Sequence, residues 1–210
     1  MNTYWSELNK QVQLSLTKKN FNLSPVFELR KVLFDEILRF RDKLSAEDFS
    51  KAPFINAKGY ESKTVAYSLW HILRIEDIVV NSIIMDWKQV FFAGDYQNKI
   101  NSPIITTGNE LIKQEIVDFS KQLNHDGLYD YIFSVYTVTN DFLKTLSYND
   151  LKKKFTNRDK IERLNSVSSA ELWLFDYWYS KDLKGLIKMP LSCHLIMHIE
   201  ASNRIIDKLI

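Results

Sequence analysis

Three histidines are the residues of this sequence with the clearest capacity for chemistry. His194 and His198 are four positions apart, and side chains at that spacing project one above the other from the same face of a helix. Two imidazoles placed in this way suit a single metal ion. The third, His71, lies in a segment that is apolar almost all round, so we expect it to face the interior and to supply a further ligand.

The surroundings of the histidine pair add weight to this prediction. Imidazoles in the core lose their water, and protonation of either would cost more still, so they need a partner that replaces solvent. A metal ion serves all of them, and three neutral imidazoles favour zinc, nickel, copper or iron over magnesium or calcium. In the alternative interpretation each histidine packs in the core with one hydrogen bond. The stripe that carries the pair reads Leu191, His194, Leu195, His198, Ala201, Ser202, Ile205 and Leu209.

Two acidic residues follow His71 closely in the chain. Glu76 and Asp77 are candidates to accept a hydrogen bond from the second ring nitrogen of a histidine ligand, as carboxylates often do around metals. Pairing with Arg74 or with another helix is the alternative.

Other residues with chemical potential are given structural roles. His125, in an Asn-His-Asp-Gly sequence, is expected in an exposed loop or helix cap. Cys193 is rotated by about 100° from His194 on a helix, which favours a small buried hydrophobe over a ligand. The aromatic stretch 173–179 is interpreted as plain core, with the mouth of a pocket as the alternative.

The elements that position these residues are predicted to be helices. Five glycines and four prolines in 210 residues are few for an all-β protein, and the apolar residues recur at helical spacing. A cap followed by proline at Ser24-Pro25 opens a helix that runs to about Leu44. The segment from Ser62 to about Asp86 is apolar on every face, which is typical of a helix in the middle of a bundle.

The rest of the chain continues the helical pattern. Residues 87–107 are predicted to form a long irregular crossover. A capping box at Thr107-Gly-Asn-Glu110 predicts a helix to about Leu123, followed by another over 126–146, or one bent helix in place of the two. Met189-Pro190 is predicted to open the last helix, which runs almost to Ile210.

Two similar turns suggest internal two-fold organisation. Ser45-Ala-Glu-Asp48 and Ser147-Tyr-Asn-Asp150 each follow a long predicted helix and precede a histidine-bearing one. A repeat of this kind would bring the two histidine helices together. Residues 2–18, within an N-terminal segment 1–22, are left open between a short amphipathic helix and an arm.

Bulk properties bound the function. The length of 210 residues fits one domain, 1–210. A net charge of +2 is too small to attract a polyanion over a long range, so we expect no nucleic-acid partner. The start is not signal-like and nowhere do 18 apolar residues follow one another, so we expect no membrane association. With a single cysteine no intramolecular disulfide can form, and a cytoplasmic location is expected.

The histidine motifs resemble those of the DinB-like (YfiT-like) superfamily. Trp70-His71-Ile-Leu-Arg-Ile-Glu76 and His194-Leu-Ile-Met-His198-Ile-Glu200 carry the resemblance, which covers most of the chain from about residue 25. It implies an all-α four-helix bundle, here with an extra N-terminal segment and a long middle crossover. It also implies a divalent metal ion, often nickel or zinc, held by His71, His194 and His198.

The resemblance also implies an activity. Several characterised members of the superfamily look like metal-dependent transferases that use a low-molecular-weight thiol such as bacillithiol or mycothiol. Another characterised activity in the superfamily is that of a thiol-dependent isomerase. We therefore expect a metal-activated thiol or water that attacks a small electrophilic substrate.

Two other functions remain open. A non-catalytic, stress-associated metal-binding bundle or dimeric interaction module is one, although structural zinc usually takes four protein ligands. A member that keeps the histidines only as packing residues is the other. Faces rich in Phe and Trp make a homodimer a reasonable expectation.

Overall fold

The computed structural model describes residues 3–210, and these contain helices, turns and irregular connections but no strand. The predicted all-α class is therefore confirmed. Within the described residues, none of the helices combines the length and the apolar content needed to span a bilayer. The α-helices, in chain order, are α1 (Thr3–Ser15), α2 (Ser24–Lys43), α3 (Val65–Asp77), α4 (Val90–Ala93), α5 (Tyr96–Ile100), α6 (Gln114–Gln122), α7 (His125–Lys144), α8 (Arg158–Glu162), α9 (Trp173–Tyr179), α10 (Leu183–Lys188) and α11 (His194–Leu209).

Helix α3 lies in the middle of the molecule, as its apolar character predicts. Every residue of α3 is buried, and so is every residue of the π-helical segment Ile78–Ile84 that continues it. Helices α6, α7 and α11 pack against it, while α2 packs on α11. The helix is capped by Thr64, whose side chain accepts a hydrogen bond from the backbone N–H of Tyr67.

The N-terminal segment is a helix rather than a free arm. Helix α1 packs along α2, and its apolar stripe Trp5, Leu8 and Val12 is buried. Burial of that stripe explains why a short polar helix is stable here. Residue 2 of the segment 2–18 lies outside the described residues. Helix α2 has the predicted bounds to within a residue at its C-terminal end.

The last helical stretch begins earlier than its sequence predicts. It starts with α10, passes through a π-helical segment Met189–Cys193 and continues as α11. Pro190 therefore lies inside the stretch and does not open it. Proline lacks a backbone N–H and clashes with the preceding turn of an α-helix. The wider π turn accommodates it, and the Ser192 hydroxyl donates to the Ile187 carbonyl at 2.7 Å.

The long crossover is tied to α3 by two buried charged side chains. The Asp77 carboxylate accepts hydrogen bonds from the backbone N–H groups of Val90 and Phe91, both at 2.9 Å. The Arg74 guanidinium donates to the Ile105 carbonyl at 2.6 Å. The crossover is not irregular throughout, contrary to the prediction, because it contains the short helices α4 and α5. Because both of its ends are bonded to α3, it holds a fixed position beside the histidine helix.

The capping box predicted at 107–110 is wrong. Helix α6 begins at Gln114 rather than at Thr107, and Glu110 accepts its hydrogen bond from the side chain of Thr106. Extended backbone at Leu123 then separates α6 from α7, whose first turn is capped by Asn124. The segment therefore forms two helices and not a single bent one.

The two Ser-x-x-Asp turns have the same structure. Ser45 Oγ lies 2.6 Å from an Asp48 carboxylate oxygen, and Ser147 Oγ lies 2.6 Å from the corresponding oxygen of Asp150. In each turn the serine backbone N–H donates to the same carboxylate. The turns follow α2 and α7, and the histidine helices α3 and α11 pack against each other.

Candidate metal centre

The structure brings His71, His194 and His198 together. All three are buried, and each offers a ligand atom within 4.8 Å of the others. Their ring centroids form a nearly equilateral triangle, with separations of 4.8, 4.9 and 5.2 Å. Because α3 and α11 are packed side by side, histidines distant in sequence meet at one point.

Burial keeps the three imidazoles neutral. It lowers the pKa of His71 from 6.5 to about 4, despite an opposing contribution from a backbone hydrogen bond. It also lowers the pKa values of His194 and His198 well below their usual range, and the neighbouring imidazoles act in the same direction. Neutral imidazole is the form that binds a metal ion, so the cluster is ready for a ligand role at pH 7.

His71 is held in one orientation by the chain that follows the crossover. Its Nδ1 lies 2.9 Å from the Thr107 carbonyl oxygen. A carbonyl can only accept, so Nδ1 carries the proton and Nε2 presents its lone pair to the cluster. A hydrogen bond from the second nitrogen to a backbone carbonyl is the usual support of a histidine that binds metal.

Glu76 and Asp77 do not fill this supporting role, so that prediction is wrong. Lying five and six residues after His71, they project more than about 100° away from it around the helix axis. Glu76 accepts two hydrogen bonds from Arg30, at 2.7 and 3.0 Å, in a fully buried ion pair. Asp77 is buried among Asn81, Tyr131 and the N-terminus of α4.

The two histidines of α11 have unsatisfied nitrogens. Nδ1 of His194 and Nδ1 of His198 are buried without a hydrogen-bond partner. Such an atom costs roughly 1–3 kcal/mol, and both of them belong to rings of the cluster. Simple packing with one hydrogen bond therefore describes His71 alone. Nitrogens that share a tetrahedral zinc lie about 3.4 Å apart, so small ring rotations would let this donor set fit a divalent ion.

The cluster lies at a cavity of about 610 Å³. The aromatic stretch 173–179 is interpreted from sequence as core, but several of its residues form part of the cavity wall. Phe175 is buried and does belong to the core. Tyr60 contacts the cluster edge-on, with its ring centroid 4.7 Å from that of His198. The cavity is lined by Gly59, Tyr60, Ser62, Lys63, Tyr67, His71, Ile75, Asn109, Trp173, Leu174, Tyr177, Trp178, Met189, Pro190, His194 and His198.

The cavity contains a cation and no carboxylate among its lining residues. Lys63 is half-buried, which lowers its pKa, and its Nζ lies 5.3 Å from the centre of the Tyr67 ring. The Tyr67 ring stacks in turn on His71, with a centroid distance of 5.5 Å. Lys63 also contributes to the low pKa values of His71 and His198.

Neither His125 nor Cys193 belongs to the cluster. His125 is the first residue of α7 and is half-buried rather than exposed, because its ring packs on Phe49 at 4.6 Å. Cys193 is partly buried, which raises the pKa of its thiol.

Two features of the site were missed in the sequence. Tyr67 precedes His71 by one helical turn, so the i, i+4 rule could have placed it beside the ring. The Thr107 carbonyl leaves no signal, because any residue type offers the same backbone oxygen.

The fold and the site define the molecule as an all-helical protein with a buried three-histidine cluster. No known family model matches the chain, and no curated protein matches its sequence. Among solved structures, a conserved protein from Enterococcus faecalis is similar, with a TM-score of 0.61 and 12% sequence identity. The match covers 88% of this chain and 94% of that one, and it shows a shared fold alone.

Proposed function

We propose that this protein is a DinB-like metalloenzyme in which His71, His194 and His198 hold a divalent zinc or nickel ion. The observation that carries the proposal is a set of three buried, neutral imidazoles at a cavity, two of them with an unpartnered nitrogen. The packing of α3 with α7 and α11, and of α11 with α2, supports a four-helix bundle as the frame.

The proposed activity is transfer of a low-molecular-weight thiol, or of water, to a small electrophilic substrate. When bound, the ion would act as a Lewis acid that lowers the pKa of the thiol or water. The Thr107 carbonyl keeps the Nε2 lone pair of His71 directed at the cluster. The aromatic residues of α9 line the cavity and would limit the access of water to the reacting groups. The Lys63 ammonium lies in the same lining and would favour the deprotonated form of the attacking group.

An open site favours catalysis over a purely structural role. A structural zinc ion is usually enclosed by four protein ligands. Among the described residues the cluster offers three, with no cysteine or carboxylate in the group, and it adjoins a cavity. This arrangement supports an enzyme ahead of a non-catalytic, stress-associated metal-binding bundle.

Metal content tests the proposed site. Protein purified without a nickel column and incubated with zinc or nickel should retain about one equivalent, as measured by elemental analysis. His71→Ala and His194→Ala should lose it, while the matched control His125→Ala, outside the cluster, should keep it. Wild-type protein that takes up neither metal would show that the histidines only pack.

Thiol transfer tests the proposed reaction. The loaded protein is mixed with a thiol and 1-chloro-2,4-dinitrobenzene; a sulfur–carbon bond forms, the carbon–chlorine bond breaks, chloride leaves and the thiol proton passes to buffer. We expect product to form faster than with the metal-free protein, and the absorbance of the product measures the rate. Equal rates with and without metal, across several thiols, would contradict a transferase.

A further inference from the structure

A carboxylate joins two walls of the cavity at its mouth. One oxygen of Glu171 accepts a hydrogen bond from the side-chain amide of Asn109 at 2.6 Å and another from the indole N–H of Trp173. Asn109 and Trp173 line the cavity, whereas Glu171 is not among the lining residues. Hydrogen bonds to an ionised acceptor are stronger than those between neutral groups. Glu171 with these two bonds therefore forms a clasp between the walls.

The wall that carries Asn109 is fixed to the histidine helix. Two residues before it, the Thr107 carbonyl accepts a hydrogen bond from Nδ1 of His71 at 2.9 Å. The Gly108 carbonyl, between them, accepts one from the Tyr67 hydroxyl at 3.0 Å. Because two consecutive carbonyls are bonded to side chains of α3, this wall keeps its position relative to the cluster.

Two carboxylates lie close to the fixed wall. Burial raises the pKa of the Tyr67 phenol, and Glu110 and Glu171 raise it further. One oxygen of Glu110 accepts from the Thr106 side chain, and the other is buried without a partner. Glu171 is the one of the two that bonds to residues of the lining.

The opposite wall, at the start of α9, is not held by burial. Trp173 is 52% exposed, and Leu172 before it is 44% exposed. The next two residues, Leu174 and Phe175, are buried in the core. A segment with few buried apolar contacts opens locally at low cost. Because the Trp173 ring both lines the cavity and meets solvent, it lies at the rim, where the clasp holds it.

We infer that Glu171 is a positioning residue that controls access to the three histidines. While its bonds to Asn109 and Trp173 are intact, the indole ring stays at the rim of the cavity. When they break, the start of α9 swings away from the fixed wall about the buried Leu174 and Phe175, and solutes reach the cluster. The inference concerns access alone, so it holds whichever ligand the histidines bind.

Chemical modification of the histidines measures this access. Metal-free full-length protein is treated with diethyl pyrocarbonate, which acylates neutral imidazole, and mass spectrometry follows the cluster separately from His125. We expect the cluster of Glu171→Met to react about tenfold faster than that of the wild type, because the closed state loses hydrogen bonds to a charged group. His125, which lies outside the cluster, should react at the same rate in both proteins.

Further variants assign the effect to the hydrogen bonds. Glu171→Gln keeps an oxygen that can accept both bonds, so its cluster should react at close to the wild-type rate. Trp173→Phe keeps an aromatic ring but has no N–H, so its rate should lie between those of the wild type and Glu171→Met. The control Asp130→Met removes an exposed carboxylate from α7 and should match the wild type.

The outcomes separate the clasp from a general effect on folding. A wild-type rate at the cluster of Glu171→Met would overturn the inference. An equal acceleration at His125 would overturn it too, because the variant would then loosen the whole fold.

Zinc exchange separates the clasp from the metal proposal. In Glu171→Met, zinc uptake and zinc release to a chelator should accelerate by the same factor, so the Kd should stay unchanged. A changed Kd with unchanged exchange rates would contradict control of access. If the wild type binds no zinc, the proposed metal site fails, and the modification of the histidines still decides whether the clasp exists.

Discussion

At the scale of single residues, the three histidines should make the metal-free protein sensitive to acid. They are neutral in the folded state, where the pKa of His71 is about 4, and they take up protons in the unfolded state near their ordinary value of 6.5. Below that value the unfolded state binds more protons, so stability falls as the pH drops from about 6.5 towards 4. Each histidine contributes on the order of 1–3 kcal/mol to this loss.

Urea unfolding in the presence of a chelator, at about pH 7.5 and about pH 5, measures the effect. The double variant His194→Gln/His198→Gln has no ionisable group at those positions, so its free energy of unfolding should fall less than that of the wild type. Equal losses in the two proteins would mean that these histidines titrate normally in the folded state.

Sequence alone identified the ligand candidates but not their support. The i, i+4 pair and the apolar context of His71 were sufficient, because burial follows from helical periodicity. Glu76 and Asp77 were chosen for closeness in the chain, yet helix geometry directs them to other faces. Lys63 was missed although it precedes Tyr67 by four residues, a spacing that could have placed the ammonium beside the ring.

At the scale of elements, a buried ion pair joins three helices. Arg30 of α2 binds Glu76 of α3 and donates from Nε to Asn140 of α7 at 2.8 Å. We predict that Arg30→Met lowers the free energy of unfolding by about 3–5 kcal/mol, because Glu76 is left buried and uncompensated. Chemical denaturation measures the loss.

The double variant Arg30→Met/Glu76→Gln separates charge from packing. It should be more stable than the sum of the two single losses predicts, since no buried charge remains in it. If the loss of stability in the double variant equalled the sum of the two single losses, Arg30 would act through packing of its carbon chain and not through the ion pair.

The predictions of elements failed where tertiary contacts compete with local signals. Thr107 begins a plausible capping box, but in the fold its carbonyl accepts from His71. Pro190 follows the pattern of a helix start, yet α10 precedes it in the same helical stretch. The long helices were predicted well because their apolar periodicity and the fold agree.

At the scale of the whole molecule, the proposed ion would connect distant parts of the chain. Its ligands come from α3, beside the anchored crossover, and from α11 at the far end of the sequence. The unfolded chain does not hold these histidines together, so an ion that binds them stabilises the folded state.

Thermal unfolding should therefore report metal binding. With free zinc at about one hundred times its Kd, the folded state gains about 2.7 kcal/mol, which raises the Tm of a chain of this size by about 5–10 °C. Calorimetry with zinc and with a chelator measures the shift in the wild type, in His198→Ala and in the control His125→Ala. The shift should vanish in His198→Ala alone. A shift of the same size in His198→Ala would place the stabilising metal elsewhere, because removing one of three ligands must weaken a site that the three histidines share.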